Sequence, residues 1–140
     1  MTVIAAARCI FFNKDKYFLV QHNTYLPEKF GKWGLPGGHI KPMETPDEAL
    51  RREMFEEFAV NLDEIIFVGD WLYRNQFHRV FASHIGYEIY IHDTLEVLKS
   101  SWYTYEQIKN LDRDNDLHTE FELAAIDKLR GLLRSGAKND

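Results

Sequence analysis

The chain is expected to fold as an α/β protein in which helices cover a mixed β-sheet. Three observations carry that expectation. Runs rich in β-branched and aromatic residues recur along the chain and read as strands. Two segments place their apolar residues at helical spacing. Strands and helices are interspersed without strict alternation, which points to a mixed rather than an all-parallel sheet. With 140 residues, 45% hydrophobic and 28% charged, the chain has the size and composition of one domain, residues 1–140, large enough to bury a core.

Residues 3–12 and 16–22 read as two strands joined by Asn13-Lys14-Asp15. All four prolines (Pro27, Pro36, Pro42 and Pro46) and four of the eight glycines then fall between positions 27 and 46, so one elaborate loop region is built there. A helix follows over 46–58, because Thr45 is a natural N-cap, Pro46 suits the first helical position and Glu48 completes a capping box. Residues 65–73 and 77–91 read as strands connected near Arg74-Asn75-Gln76. Residues 102–105 lead into a short helix over 106–111, and a last helix over 119–133 carries Phe121, Ala125, Leu129, Leu132 and Leu133 on one face. The tail 135–140 is expected to fray.

A net charge of −5 argues against stable binding of nucleic acid, whose phosphates are held by clustered Lys and Arg. No apolar run approaches a membrane span, and the N-terminal residues lack a signal-peptide layout. The single cysteine, Cys9, lies in an apolar run and reads as core. It cannot form an internal disulfide, so a reducing, cytoplasmic location is expected. A homodimer stays open.

The most informative stretch is the first helix. At about 100° per residue, Glu53, Glu56 and Glu57 fall within a sector of about 100°, beside an apolar stripe of Leu50, Met54 and Phe58. They occupy the half of the helix where the macrodipole disfavours negative charge by about 0.3–1 kcal/mol each. Only Arg51 and Arg52 offset them locally. A solvated acidic face is the plain reading of the charges alone. With the turn Gly34-Leu35-Pro36-Gly37-Gly38 just ahead, the cluster reads instead as a divalent-metal site beside a phosphate-sized opening, since Mg²⁺ takes oxygen ligands and commonly binds together with substrate phosphates.

Gly38, Glu44, Arg52, Glu53, Met54, Glu56, Glu57, Ala59 and Val60 stand at the spacing of a known signature, and the stretch resembles the Nudix box. Trp33-Gly34-Leu35-Pro36-Gly37-Gly38 and Trp102-Tyr103-Thr104-Tyr105-Glu106 also look like the family. Two positions depart from it. Met54 replaces a branched aliphatic residue, and Ala59 replaces the glycine that ends the helix, so the helix is expected to end differently or to run on.

The resemblance implies an α/β/α sandwich and Mg²⁺-dependent hydrolysis, with Mn²⁺ as a substitute, of the pyrophosphate in a nucleoside diphosphate derivative such as a nucleoside triphosphate or sugar nucleotide. It implies Glu53, Glu56 and Glu57 as catalytic metal ligands, with Glu53 as a further ligand or the base, and Arg52 orienting a glutamate. Gly37 would add a carbonyl, and Glu96 or Glu88 a further carboxylate. Glu44 is expected to be structural. Arg8, His22, Gly37, Gly38, His39 and Arg79 are the candidate substrate contacts, and Tyr25, Phe30 or Trp33 could stack on a base, with Trp33 better suited to packing under the turn. The alternative is a non-catalytic Nudix-fold module that senses a nucleotide or sugar nucleotide, but such modules lose box glutamates that this chain keeps. Arg74 and Gln76 stand where ADP-ribose and diadenosine polyphosphate hydrolases carry proline and tyrosine. Residues 112–116 imitate the start of a calcium loop, but Leu117 and Leu123 occupy the positions that need glycine and glutamate.

Overall fold

The computed structural model describes residues 3–136. Its elements are β1 (Ile4–Asn13), β2 (Lys16–His22), β3 (Gly37–His39), α1 (Pro46–Phe58), β4 (Ile66–Tyr73), β5 (Gln76–His84), β6 (Val97–Thr104), α2 (Tyr105–Arg113) and α3 (Glu122–Arg134). The expected fraying of 137–140 lies outside the described residues. The sheet runs β4-β5-β1-β2-β6, with β3 also on β1. The β1–β5 pair is parallel and the other pairs are antiparallel, so the sheet is mixed as expected.

Alternation along β1 divides the core. Ala7, Cys9 and Phe11 pack with Leu50, Met54 and Phe58 of α1 on one face. Ile10 and Phe12 pack with Ile108 of α2 and with Ala125, Ile126 and Leu129 of α3 on the other. Two apolar layers around one sheet make the α/β/α sandwich. Among the described residues, no helix is long and apolar enough to cross a membrane.

One edge of β1 is shared in a way the sequence did not reveal. It pairs with β2 only at Phe12↔Tyr17 and Asn13↔Lys16, and with β3 at Ala6↔His39, Ala7↔Gly38 and Arg8↔Gly37. In the gap, Gly34 and Val20 exchange backbone hydrogen bonds of 2.7 and 2.9 Å, and Cys9 N donates to Pro36 O at 2.9 Å. The glycine-rich segment is therefore a wedge between two diverging strands, hydrogen-bonded on both sides rather than an open turn.

Helix α1 has the expected bounds and a complete capping box: Glu48 N donates to Thr45 Oγ1 at 3.2 Å, and Thr45 N to Glu48 Oε1 at 2.9 Å. Its end corrects the expectation. Ala59 adopts the left-handed conformation itself (φ 56°, ψ 32°), so the helix stops at Phe58 without the glycine. That conformation costs an L-residue about 1–2 kcal/mol, while glycine loses about 0.4–1 kcal/mol through unfolded-state entropy. Ala59→Gly should therefore stabilise the protein by about 0.5–1 kcal/mol, read as a higher urea midpoint at constant m-value.

Three other boundaries differ from expectation. The strand expected over 77–91 stops at His84, because its partner ends: Phe12↔His84 is the last β1–β5 pair and Gly86 follows. Strand β6 was unforeseen; it pairs with β2 from Lys16↔Thr104 to His22↔Val97. The last helix begins at Glu122 rather than 119, with Glu120 at φ 70° in the turn before it. Helix α2 outruns its expected 106–111, with Thr104 and Gln107 forming a second capping box.

Candidate active site

Arg52 organises the acidic side of α1. Its Nε and Nη2 hold the Glu44 carboxylate at 2.6 and 2.9 Å. Its Nη1 donates to Glu53 at 2.9 Å and to Glu56 at 3.1 Å, and Nη2 also reaches the His39 carbonyl at 3.2 Å. A planar guanidinium supplies five donors in fixed directions, which a lysine could not replace. Glu44 also accepts from Lys41 N at 2.8 Å, and its hydrogen bonds to Arg52 lower its pKa to about 2. Glu44 thus anchors the arginine, which in turn aims Glu53 and Glu56.

Glu57 faces inward. It is only 3% exposed, and its Oε1 has no hydrogen-bond partner. Burial, then contact with Glu53, pushes its pKa up to about 10. Glu53 lies so close to Gly38 that a Cβ there would stand 2.7 Å from its carboxylate atoms. Among the described residues, no three acidic, histidine or cysteine side chains converge as a ready-made cation cage, because Glu53 and Glu56 turn to Arg52. Mg²⁺ needs no such cage, since it keeps waters and uses one or two carboxylates with substrate phosphates. An unpaired buried carboxylate oxygen beside a second carboxylate fits a hard divalent cation, and Glu53, Glu56 and Glu57 could hold one.

Arg8 lies across the seam, on the face of β1 opposite α1. Its Nη1 donates to Gly37 O at 3.0 Å, and its Nε lies 3.4 Å from His78 Nδ1. Burial lowers its pKa, opposed by the charges of Glu57, Glu122 and Glu53. The Gly37 carbonyl, expected to face a metal, is thus engaged by Arg8. His22 Nε2 is 3.0 Å from Leu35 O; a carbonyl only accepts, so that nitrogen carries the proton. Arg8 Nη1, 3.5 Å away, is then a second donor in contact rather than a partner. Burial, then Arg8, lowers the His22 pKa to about 3. The imidazole expected to touch substrate is turned into the wedge.

Arg79 has a partner of its own. It forms a bidentate pair with Asp70 at 2.8 and 3.0 Å and sits over the Phe67 ring, outside both the Arg52 and the Arg8 groups. His39 is exposed and contributes its carbonyl. Glu96 is exposed, yet its charge acts on Glu57. Trp33 packs on Tyr103 at 5.1 Å between ring centroids, while Tyr25 and Phe30 are exposed. A surface cavity of about 610 Å³ beside Lys14, Tyr87 and Trp102 shares no residue with these groups.

Several polar residues around Arg8 escaped sequence reasoning. Glu122 is fully buried; its Oε2 accepts from Thr119 N at 2.9 Å, while its Oε1 and Thr119 Oγ1 have no partner. His78 is buried, and the His118 ring lies 5.9 Å from that of His22. A glutamate opening an amphipathic helix reads as an ordinary first-turn acid, so no local signal separates Glu122 from a solvated one.

The NUDIX domain family model matches residues 2–124. The nucleoside triphosphatase NudI of Enterobacter sp. (strain 638) is 34% identical over 97 residues, 59% of this chain and 68% of that protein. The NAD-capped RNA hydrolase NudC of Edwardsiella ictaluri (strain 93-146) is 24% identical over 99 residues, 69% of this chain but 37% of its own length. Among solved structures, the NUDIX domain of Shewanella oneidensis NrtR, complexed with ADP ribose, superposes with a TM-score of 0.73 at 18% identity, over 95% of this chain and 90% of that one. The fold and the family match agree, and the chain belongs to the Nudix family of pyrophosphohydrolases.

Proposed function

We propose that the protein hydrolyses the pyrophosphate linkage of a nucleoside diphosphate derivative with Mg²⁺ as its ion, Mn²⁺ being able to replace it. The observation that carries this reading is the pairing of a buried, unpartnered Glu57 with Glu53, beside an arginine that aims Glu53 and Glu56. Bound metal would neutralise charge on the phosphate oxygens and acidify a water. Glu53, Glu56 and Glu57 are the proposed donors, with Glu96 as a further carboxylate; Glu53 serves as ligand or as acceptor of the water's proton. Arg52 keeps Glu53 and Glu56 in position through charge-assisted hydrogen bonds. Arg8 adds positive charge at the seam, which favours a polyphosphate on an otherwise acidic protein.

The relative named as a nucleoside triphosphatase makes nucleoside triphosphates the first substrates to test, ahead of sugar nucleotides and dinucleoside polyphosphates. A panel of these, assayed for released phosphate products with Mg²⁺ or Mn²⁺, should show turnover that chelator abolishes. Tight binding of a panel member without hydrolysis would overturn the catalytic reading in favour of a sensing module. Retention of all the box glutamates supports hydrolysis over that alternative.

A further inference from the structure

Glu96 belongs to a loop with an electrostatic reason to swing away. It is exposed and carries a charge of the same sign as Glu57. The backbone around it is nevertheless tied from two sides. His92 N and Asp93 N both donate to the carbonyl of Glu57 itself, at 2.7 and 3.3 Å. The Asp93 side chain accepts from Leu95 N and Glu96 N at 3.2 Å each, closing residues 93–96 into a tight turn.

From the other side comes Asn23, the first residue after β2. Its backbone N donates to Glu96 O at 2.9 Å, and its side-chain Nδ2 donates to Leu95 O at 2.8 Å. Asn23 therefore grips the two carbonyls around Glu96 with both of its amides, while the start of the same loop is held on the end of α1. We propose that Asn23 is a positioning residue: its side chain holds the loop so that Glu96 is kept beside Glu57, where it adds a carboxylate to the divalent-cation set. Asparagine suits the role because the contact requires a donor. Aspartate has the same shape, but it only accepts, and would place a negative group against the Leu95 carbonyl. The inference rests on the reading that Glu57 binds the cation.

The test is Mn²⁺ affinity without nucleotide, followed by water-proton relaxation, for Asn23→Ala, Asn23→Asp, Glu96→Gln, Glu57→Gln and the Asn23→Ala/Glu96→Gln pair. Removing a group that orients a ligand costs about 10–100-fold in metal affinity, so each Asn23 variant should weaken Mn²⁺ by about tenfold or more. Asn23→Ala should add nothing once Glu96 is Gln, because the clamp acts through that carboxylate. Equal weakening by Asn23→Ala in the wild-type and Glu96→Gln backgrounds would overturn the proposal, as would unchanged affinity in both Asn23 variants while Glu57→Gln abolishes binding. Binding that ignores Glu57→Gln removes the underlying metal reading instead. Should Asn23→Ala fail to fold, the isosteric Asn23→Asp, alone and paired with Glu96→Gln, decides the matter in the same way.

Discussion

Glu57→Gln is expected to lower kcat by about 10³-fold, the scale set by losing a metal-borne contribution of several kcal/mol at 1.36 kcal/mol per decade. The substitution keeps the shape of the side chain and removes its capacity to become an anion. Metal-free stability should move the other way. Burial and Glu53 raise the folded pKa of Glu57 to about 10, far above the ordinary carboxylate value. The unfolded chain then releases this proton first, and the native state loses stability as pH rises from the ordinary carboxylate range toward the raised pKa. Glu57→Gln removes that loss, so in chelator the variant should gain on wild type between pH 5 and pH 8. Mn²⁺ or Mg²⁺ should raise the melting temperature of wild type and leave the variant's almost unchanged. Wild-type turnover in Glu57→Gln at saturating metal would refute the assigned role.

The carboxylate helix was legible because its signals are local: a capping box, an apolar stripe, and charges set against the helix dipole at fixed spacing. Arg52 was legible for the same reason, since its partners Glu53 and Glu56 are neighbours on one helix. Features that depend on long-range pairing were hidden. Nothing in residues 77–91 marks His84 as the end of a strand; the limit is set by where β1 stops. Strand β6 lies at the sheet edge with Leu98 and Lys99 exposed and Ser100 to Thr104 half-buried, and such a strand shows only weak alternation. The charge on Arg8 suggested a substrate contact, but its neighbours come from β3, β5 and α3, which only the folded chain brings together. His22 and Arg79 look free in one dimension, as any imidazole or cation near an expected cleft does; in three, the carbonyl of Leu35 and the carboxylate of Asp70 are their partners.

The wedge that separates β1 from β2 makes Gly37 the position least able to accept a side chain. A Cβ there would lie 2.1 Å from Ala7 O and 2.8 Å from Arg8 Cα, and the residue sits at φ +144°. Both obstacles are backbone atoms of β1, the central strand, so no rotamer change relieves them. Backbone strain of about 1–3 kcal/mol and overpacking of about 1–3 kcal/mol together predict that Gly37→Ala destabilises the protein by about 3–5 kcal/mol. Gly31 is the internal control: it too has positive φ, +76°, but nothing lies within 4 Å of an added Cβ. Gly31→Ala should therefore cost only the conformational part, about 1–2 kcal/mol. Urea unfolding of the two variants separates collision from conformation, and a Gly37→Ala loss no larger than that of Gly31→Ala would mean the wedge does not pack against β1 as described. If the variant folds, shifting the seam should also disturb the Arg8–Gly37 contact and the Gly38 position that leaves room for Glu53. Activity should then fall by more than the folded fraction does, because the glycines that let the wedge enter the sheet also set how closely β3 approaches the carboxylates of α1.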